Sequence, residues 1–189
     1  QQKDVRRLGV ARDVPANAIY KAYRMCAKID LDYHATDLLS DILSLGSSSR
    51  FHQSLIKEQK LFSEINAYVM GSTDDGLFVI SGKLSDETQY PEAEEAIEIE
   101  LKKIKTEIIL ESELQKVKNK IESTHQFSET NILNKAMNLA FAELQNDAND
   151  VNLEVDKYNN VTSNDIYRIA NQILIPTNCS TLIYAKKEN

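Results

Sequence analysis

The chain has 189 residues, of which 42% are hydrophobic, and this length suits one domain with one sizeable core. Its formal charge is −7, from 29 acidic and 22 basic residues, which argues against nucleic acid as the main partner because phosphate binding needs a basic surface. No apolar run approaches the roughly 20 residues of a membrane span. The two cysteines, Cys26 and Cys179, lie at opposite ends of the chain and do not suggest a disulfide framework.

The N-terminal sequence, QQKDVRRLGV, has neither an initiator Met nor the apolar core of a signal peptide. We therefore expect the chain to be cut from a longer protein. The sequence indicates no cellular compartment.

A strand and a helix are the first predicted elements. In residues 18–29, apolar side chains recur at every second position, as in a strand that is covered on one face. Leu38, Leu39 and Ile42 then recur at helical spacing. Gly46 ends this helix, since glycine suits the left-handed turn that follows a helix.

A second helix and a β-hairpin follow. Three serines, whose hydroxyls can cap a helix, precede a predicted helix over residues 50–59. Period-two spacing returns over 64–70 and 77–84, and the intervening GSTDDG is rich in turn-forming residues. We expect these two segments to pair as antiparallel strands.

The second half of the chain is mainly helical. Its apolar residues form three stripes at helical spacing, namely Ile97, Leu101, Ile104 and Ile108; Leu114, Val117 and Ile121; and Ile132, Leu133, Ala136, Met137, Ala140, Phe141 and Leu144. Thr162 and Asp165 have capping-box spacing before a last helix that Pro176 ends, and a strand is predicted over 180–185. The order of elements predicts one α+β domain over 1–189, with a mixed, mostly antiparallel sheet and helices packed on one face.

The residues that common catalytic sites require are absent from the sequence. A zinc hydrolase brings two imidazoles together, usually through H-E-x-x-H or H-x-x-E-H on a helix, but no two of His34, His52 and His125 lie within one helical turn. There is no G-x-S-x-G, C-x-x-C or P-loop. Ser49 lies one turn before His52, a spacing that fits a helix cap better than a nucleophile and its base. We predict no catalytic residue and no metal ligand.

Three stretches carry a resemblance to a known family. They are DYHATDLLSDILSLGSSSRFHQSLIKEQKLFSEINAY, DDGLFVISGKL and ESELQKVKNKIEST. Together they resemble the C-terminal half of the pitrilysin and insulinase-type zinc peptidases, which include mitochondrial processing peptidase, from roughly Val14 to Tyr184. The resemblance implies the metallohydrolase-like half of the insulinase type: two similar halves enclose a chamber, and the zinc motif lies in the N-terminal half. It also implies a zinc metalloendopeptidase as the parent and an inactive chain here.

The resemblance also concerns a pair of substrate-binding residues. Active complexes of the family carry an Arg and a Tyr in the pattern L-R-x-K-x-x-L-x-Y, and LIKEQKLFS places Ile56 and Ser63 at those two positions. A paralogous subunit would then supply the pair. The implied partners are the N-terminal zinc-binding half, that subunit and a peptide substrate, and the residues expected to face the substrate are Arg50, Ile56, Ser63 and Tyr68.

Two other interpretations remain open at this point. The parent could be a non-catalytic structural subunit, like the related core subunits of respiratory complexes. Alternatively, the chain could be an α+β interaction module whose long helices form a docking face. A search for H-x-x-E-H upstream of Gln1 would separate the peptidase from the structural subunit.

Overall fold

The computed structural model describes residue 2, residues 4–86 and residues 88–187. Its five strands are β1 (Arg6–Arg12), β2 (Ala18–Met25), β3 (Phe62–Met70), β4 (Gly76–Leu84) and β5 (Cys179–Lys186). They form one sheet in the order β1-β5-β2-β4-β3. β1 runs parallel to β5, and the other neighbouring pairs are antiparallel. The predicted mixed, mostly antiparallel sheet is confirmed.

The helices are α1 (Tyr33–Ser44), α2 (Tyr90–Thr106), α3 (Glu111–Ser128), α4 (Ile132–Gln145), α5 (Glu154–Asn159) and α6 (Ser163–Ile173). A π-helical segment covers His52–Glu58, and 3₁₀ turns cover Ala148–Leu153 and Pro176–Asn178. Thr162 and Asp165 form the predicted capping box at the start of α6. In the part of the chain that the structure describes, none of these helices is both long and apolar enough to cross a bilayer.

The core lies between one face of the sheet and the helices. Alternate residues of the central strands, such as Ile19, Phe78 and Ile80, are fully buried there, as are Leu38 and Leu39 of α1. Each fully buried side chain of this size stabilises the fold by roughly 1.5–3 kcal/mol relative to exposure. The α+β class with helices on one face of the sheet is therefore confirmed.

Two strands differ from the prediction. β1 was not predicted, although it pairs with β5 along its whole length. β2 ends at Met25 rather than at residue 29, because the chain turns next: the Ala27 amide donates to the Asp30 carboxylate over 2.9 Å and the Asp30 amide to the Ala27 carbonyl over 3.1 Å. This turn leads directly into α1.

The predicted second helix is wound more loosely than an α-helix. The Gln59 amide donates to the Ser54 carbonyl, five residues back, over 2.9 Å. Lys60 then takes a positive φ of 57°, and the Leu61 amide reaches the Leu55 carbonyl over 3.0 Å. This left-handed residue turns the chain into β3, where a bulge lies between Phe62 and Glu64.

The third apolar stripe forms α4 but does not enter the core. No side chain of α4 is buried, and Ile132, Leu133 and Leu144 are more than 60% exposed. The helical periodicity predicted the helix correctly, whereas the burial of its apolar stripe does not follow from periodicity.

Candidate functional site

Among the residues that the structure describes, no helix covers one face of the sheet. On β2, Ile19, Lys21 and Tyr23 are buried beneath the helices, whereas Tyr20 and Arg24 are exposed on the opposite side. Because side chains alternate along a strand, the register then assigns the residues of the other strands to this side. The open face consists of Arg6, Leu8, Val10, Arg12, Ala18, Tyr20, Ala22, Arg24, Glu64, Asn66, Tyr68, Met70, Leu77, Val79, Ser81, Lys83, Ser180, Leu182, Tyr184 and Lys186.

The middle of the open face is an apolar band. It consists of nine side chains in three neighbouring rows, which are Ala22, Val79 and Tyr68; Leu8, Leu182 and Tyr20; and Val10, Tyr184 and Ala18. Leu8, Tyr20 and Tyr68 are 61%, 39% and 41% exposed. Grouped exposed apolar side chains of this kind are typical of a binding surface.

A pocket of about 350 Å³ opens on this band. The pocket is lined by Val14 and Pro15 of the β1–β2 loop, by Tyr20 and Tyr184, and by Lys83 and Glu64. Its volume lies at the lower end of ligand pockets and suits a single side chain. The open face can therefore hold an extended chain and receive one of its side chains.

Cations lie at both ends of the apolar band. Arg6 and Arg24 lie toward one end, and Arg12, Lys83 and Lys186 toward the other. All five are exposed, and none forms an ion pair with another residue that the structure describes. Glu64 is the only carboxylate among the residues that define the open face.

On the helix-covered side of β2, by contrast, the cation Lys21 is buried and paired. Lys21 is 4% exposed, and its Nζ lies 3.0 Å from carboxylate oxygens of both Glu94 and Glu98 on α2. Arg7 also binds Glu94, over 2.7 Å. Burial by itself would lower the pKa of Lys21, but the hydrogen bond to Glu94 and the charge of Glu98 outweigh burial, so that pKa is raised. Lys21 is therefore a charged residue that holds α2 to the sheet.

The four residues expected to face the substrate lie in different places. Tyr68 lies on the open face, and Ser63 is exposed at the β3 bulge, where its hydroxyl donates to the Lys83 carbonyl over 3.2 Å. Ile56 packs against the core from the π-helical segment. Arg50 binds Glu113 of α3 through two nitrogens, over 2.9 and 2.8 Å.

Sequence reasoning missed the contribution of β1 to the open face. Arg6, Leu8 and Arg12 belong to it because β1 pairs with β5. The signal was present in RRLGVAR, where Leu8 and Val10 share one parity, but the segment is short and exposed. Its pairing partner lies about 170 residues away in the sequence and could not be inferred locally.

A second cavity, of about 1200 Å³, lies on the helical side between α1 and the segment from α3 to α5. Here the Tyr158 hydroxyl donates to Asp37 over 2.6 Å, and His34 lies 3.2 Å from Glu154. Burial, together with the charge of Asp37, raises the pKa of Asp41 to about 7. Tyr158 thus pairs with Asp37, and His34 with Glu154.

The residues present do not fit a zinc site. His34 lies beside Glu154, whereas His52 is in the π-helical segment and His125 is in α3. Among the residues with described positions, no three His, Cys, Asp or Glu side chains are arranged to hold a metal ion.

Residues 2–121 match the sequence profile of the family described as the peptidase M16 inactive domain. The chain belongs to this family. The match covers more than half of the chain and confirms the resemblance to the zinc-free half of insulinase-type peptidases. No curated protein matches the chain.

Solved structures share the fold of this M16 inactive domain. A protease from Helicobacter pylori superimposes with a TM-score of 0.90 at 22% identity, over 98% of this chain and 45% of that chain. An inactive peptidase domain from Bordetella parapertussis gives a TM-score of 0.84 at 20% identity, covering 95% and 96%. A chain of complex III2 from Candida albicans gives 0.79 at 13% identity, covering 96% and 46%. The M16 domain described here thus spans less than half of the Helicobacter pylori chain.

Proposed function

We propose that this M16 inactive domain is the zinc-free half of a two-half zinc peptidase and that its open face forms a wall of the substrate chamber. The observation that carries the proposal is the one-sided sheet, whose helix-free face presents an apolar band and a side-chain pocket. An extended peptide can lie along the apolar band of such a face. The catalytic zinc is then bound by the N-terminal half of the same protein.

The substrate-binding Arg and Tyr come from a paralogous subunit in this proposal. Ile56, at the position of the Arg, is an aliphatic residue packed against the core. Ser63, at the position of the Tyr, is short, and its hydroxyl bonds to the Lys83 carbonyl. Neither side chain can donate a hydrogen bond to a distant substrate carbonyl, which supports a division of labour between subunits.

We assign contact with the peptide substrate to Tyr68 and Tyr20 of the open face. Both rings are about 40% exposed on the open face, and both can pack on a peptide while the hydroxyl stays in water. Arg50 instead donates two hydrogen bonds to Glu113 and so holds the serine-rich turn to α3. We therefore assign Arg50 a structural role rather than a contact with the peptide.

A non-catalytic structural subunit is the second candidate function. The likeness to a chain of complex III2 favours it, since a chain of that assembly has the same fold. In this case the longer protein would associate stably with other subunits but would not cleave peptides.

The test assays the longer protein that contains this domain, with and without a paralogous subunit carrying Arg and Tyr at the matching positions. Loss of one oxyanion donor costs about 10²–10³ in rate, so we expect the protein alone to cleave an unfolded peptide at least about a hundredfold more slowly than the mixture. Efficient zinc-dependent cleavage by the protein alone, monomeric by light scattering, would refute the division of labour. Stable association without any cleavage would favour the structural subunit.

The role of the open face has its own test in the active mixture. We expect Tyr20→Asp combined with Tyr68→Asp to raise KM for the peptide with little change in kcat, because both rings bind substrate away from the zinc. Tyr167→Asp is the matched control, since Tyr167 is 38% exposed on α6. An unchanged KM in the double variant would remove the chamber-wall role.

A further inference from the structure

The open face has the opposite charge from the chain as a whole. The residues that define the open face include five exposed cations, Arg6, Arg12, Arg24, Lys83 and Lys186, and a single carboxylate, Glu64. The whole chain has a formal charge of −7. The acidic excess therefore lies outside the open face, and a chain approaching the open face meets a positive surface on an otherwise negative protein.

The cations are placed where an extended peptide would carry its flanking residues. Arg24 and Lys83 lie on neighbouring strands, and Lys83 pairs with Ala18, six residues from Arg24 on β2. At about 3.3 Å per residue, roughly 20 Å separate the two cations along the strand direction. The apolar band and its pocket, with Tyr20 between the two ends, fill that interval.

On these grounds we propose that the open face selects extended peptide segments in which acidic residues flank a short apolar or aromatic stretch. The proposal rests on the proposed function, since it names the substrate class of the same surface. The apolar stretch lies on the band and places one side chain in the pocket beside Tyr20 and Tyr184. The flanking carboxylates approach Arg6 and Arg24 at one end and Lys83, Arg12 and Lys186 at the other.

The absence of competing pairs makes these cations available to a ligand. Arg7 and Lys21, on the helix-covered side, are engaged by Glu94, whereas the five open-face cations have no ion-pair partner among the described residues. Forming a pair with a peptide carboxylate therefore breaks no described ion pair within the protein. The gain per exposed pair is small, so selectivity arises from several pairs together.

An acidic peptide fits this surface better than a nucleic acid does. Nucleic-acid affinity comes mainly from many cation–phosphate contacts, whereas here the cations are separated by apolar side chains such as Leu8, Leu182 and Val10. Those side chains match the apolar part of a peptide.

The test measures binding by fluorescence anisotropy on the 189-residue chain. The probes are three fluorescein-labelled unstructured peptides with the same Phe-Leu-Val centre, flanked by Glu, Gln or Lys. A labelled single-stranded oligonucleotide is the fourth probe. We expect the Glu peptide to bind about tenfold tighter than the Lys peptide at about 50 mM NaCl, and this preference to fall at about 300 mM NaCl.

Two matched triple variants locate the effect. Arg6→Glu, Arg24→Glu and Lys83→Glu together should abolish or reverse the preference for the Glu peptide. Lys57→Glu, Lys102→Glu and Lys120→Glu, at exposed lysines of the helical side, change the net charge equally and should leave the preference intact. Circular dichroism verifies that both variants are folded.

Each remaining outcome decides the proposal. Equal binding of the three peptides, or equal effects of the two triple variants, would overturn it, as would tighter binding of the oligonucleotide. If Tyr20→Asp with Tyr68→Asp still weakens the three peptides equally, only the charge preference fails and the chamber wall stands. If neither the tyrosine substitutions nor the cation substitutions affect peptide binding, both the charge preference and the proposed function fail.

Discussion

The two faces of the sheet use the same strands for different purposes. On β2, Lys21 and Tyr23 are buried under the helices, while Tyr20 and Arg24, one residue away from them, are exposed on the open face. Both faces carry cations and tyrosines, so composition alone does not distinguish them. The difference is the α-helical layer, which supplies partners to one face and leaves the other available for binding.

If the proposed function of the open face is correct, alternation along each strand separates residues that stabilise the fold from residues that bind a ligand. Substitutions on the helix-covered face should change stability, and substitutions on the open face should change binding. The following predictions test that separation, from the largest expected effect to the smallest.

The largest contrast is expected between two aromatic residues of neighbouring strands. Phe78 is fully buried and contacts the Tyr23 ring edge-on at a centroid distance of 6.3 Å. We expect Phe78→Ala to lower the free energy of unfolding by about 3–5 kcal/mol, because it leaves a cavity in the core. Tyr68→Ala on the open face should cost less than about 1 kcal/mol. Urea denaturation measures both, and similar losses would show that the open face also contributes to the core.

A second contrast compares the two cations of β2. Lys21→Ala leaves Glu98 without its partner and Glu94 with only Arg7, so we expect a loss of about 2–3 kcal/mol in unfolding free energy. Arg24→Ala should change stability by less than about 0.5 kcal/mol. If Arg24→Ala were as damaging as Lys21→Ala, Arg24 would have a structural partner and could not serve a ligand.

A third contrast compares Gly82 and Ser81, two neighbouring residues of β4 that lie on opposite faces of the sheet. A Cβ at Gly82 would lie 2.5 Å from Cε1 of Phe62, a buried ring that packs on this glycine. We expect Gly82→Ala to cost about 1–3 kcal/mol through overpacking. Ser81→Ala, on the open face beside it, should be nearly neutral. The comparison uses thermal unfolding at matched pH, and a neutral Gly82→Ala would mean that Phe62 can move aside.

The smallest expected effect is a pH-dependent change in stability at Asp41, which lines the cavity on the helical side. The pKa of Asp41 is raised from 3.8 to about 7 by burial and by Asp37, so folding favours its protonated form. Its contribution to stability is fully present below about pH 4 and is lost as pH rises through about 7. Asp41→Asn should therefore raise the unfolding free energy by about 1–2 kcal/mol at pH 8 but not at pH 4.

Asp75→Asn, in the exposed hairpin turn, is the control for this last prediction. The pH dependence of the difference between wild type and Asp41→Asn is the measurement. A gain that is equal at both pH values would show that protonation of Asp41 is not its cause.

The elements that the sequence predicted are those with local signals. Leu38, Leu39 and Ile42 predicted α1, and Gly46 has the positive φ of 78° that a helix-ending glycine allows. The β3–β4 hairpin followed from period-two spacing around a turn-rich segment. The open face itself was not predicted as a surface, although Tyr68 was named as facing a substrate.

By itself, the sequence determined the helices α1, α2, α3, α4 and α6, the hairpin, the absence of a paired-histidine motif and the resemblance to a zinc-free half. These depend on residues that are close along the chain. Only the tertiary structure decided that β1 joins β5, that Arg50 is engaged by Glu113 and that the stripe of α4 lies outside the core. It also decided which residues form the positive open face. Each of these depends on contacts between distant segments, since burial and charge pairing are set by what packs against a residue and not by its neighbours in sequence.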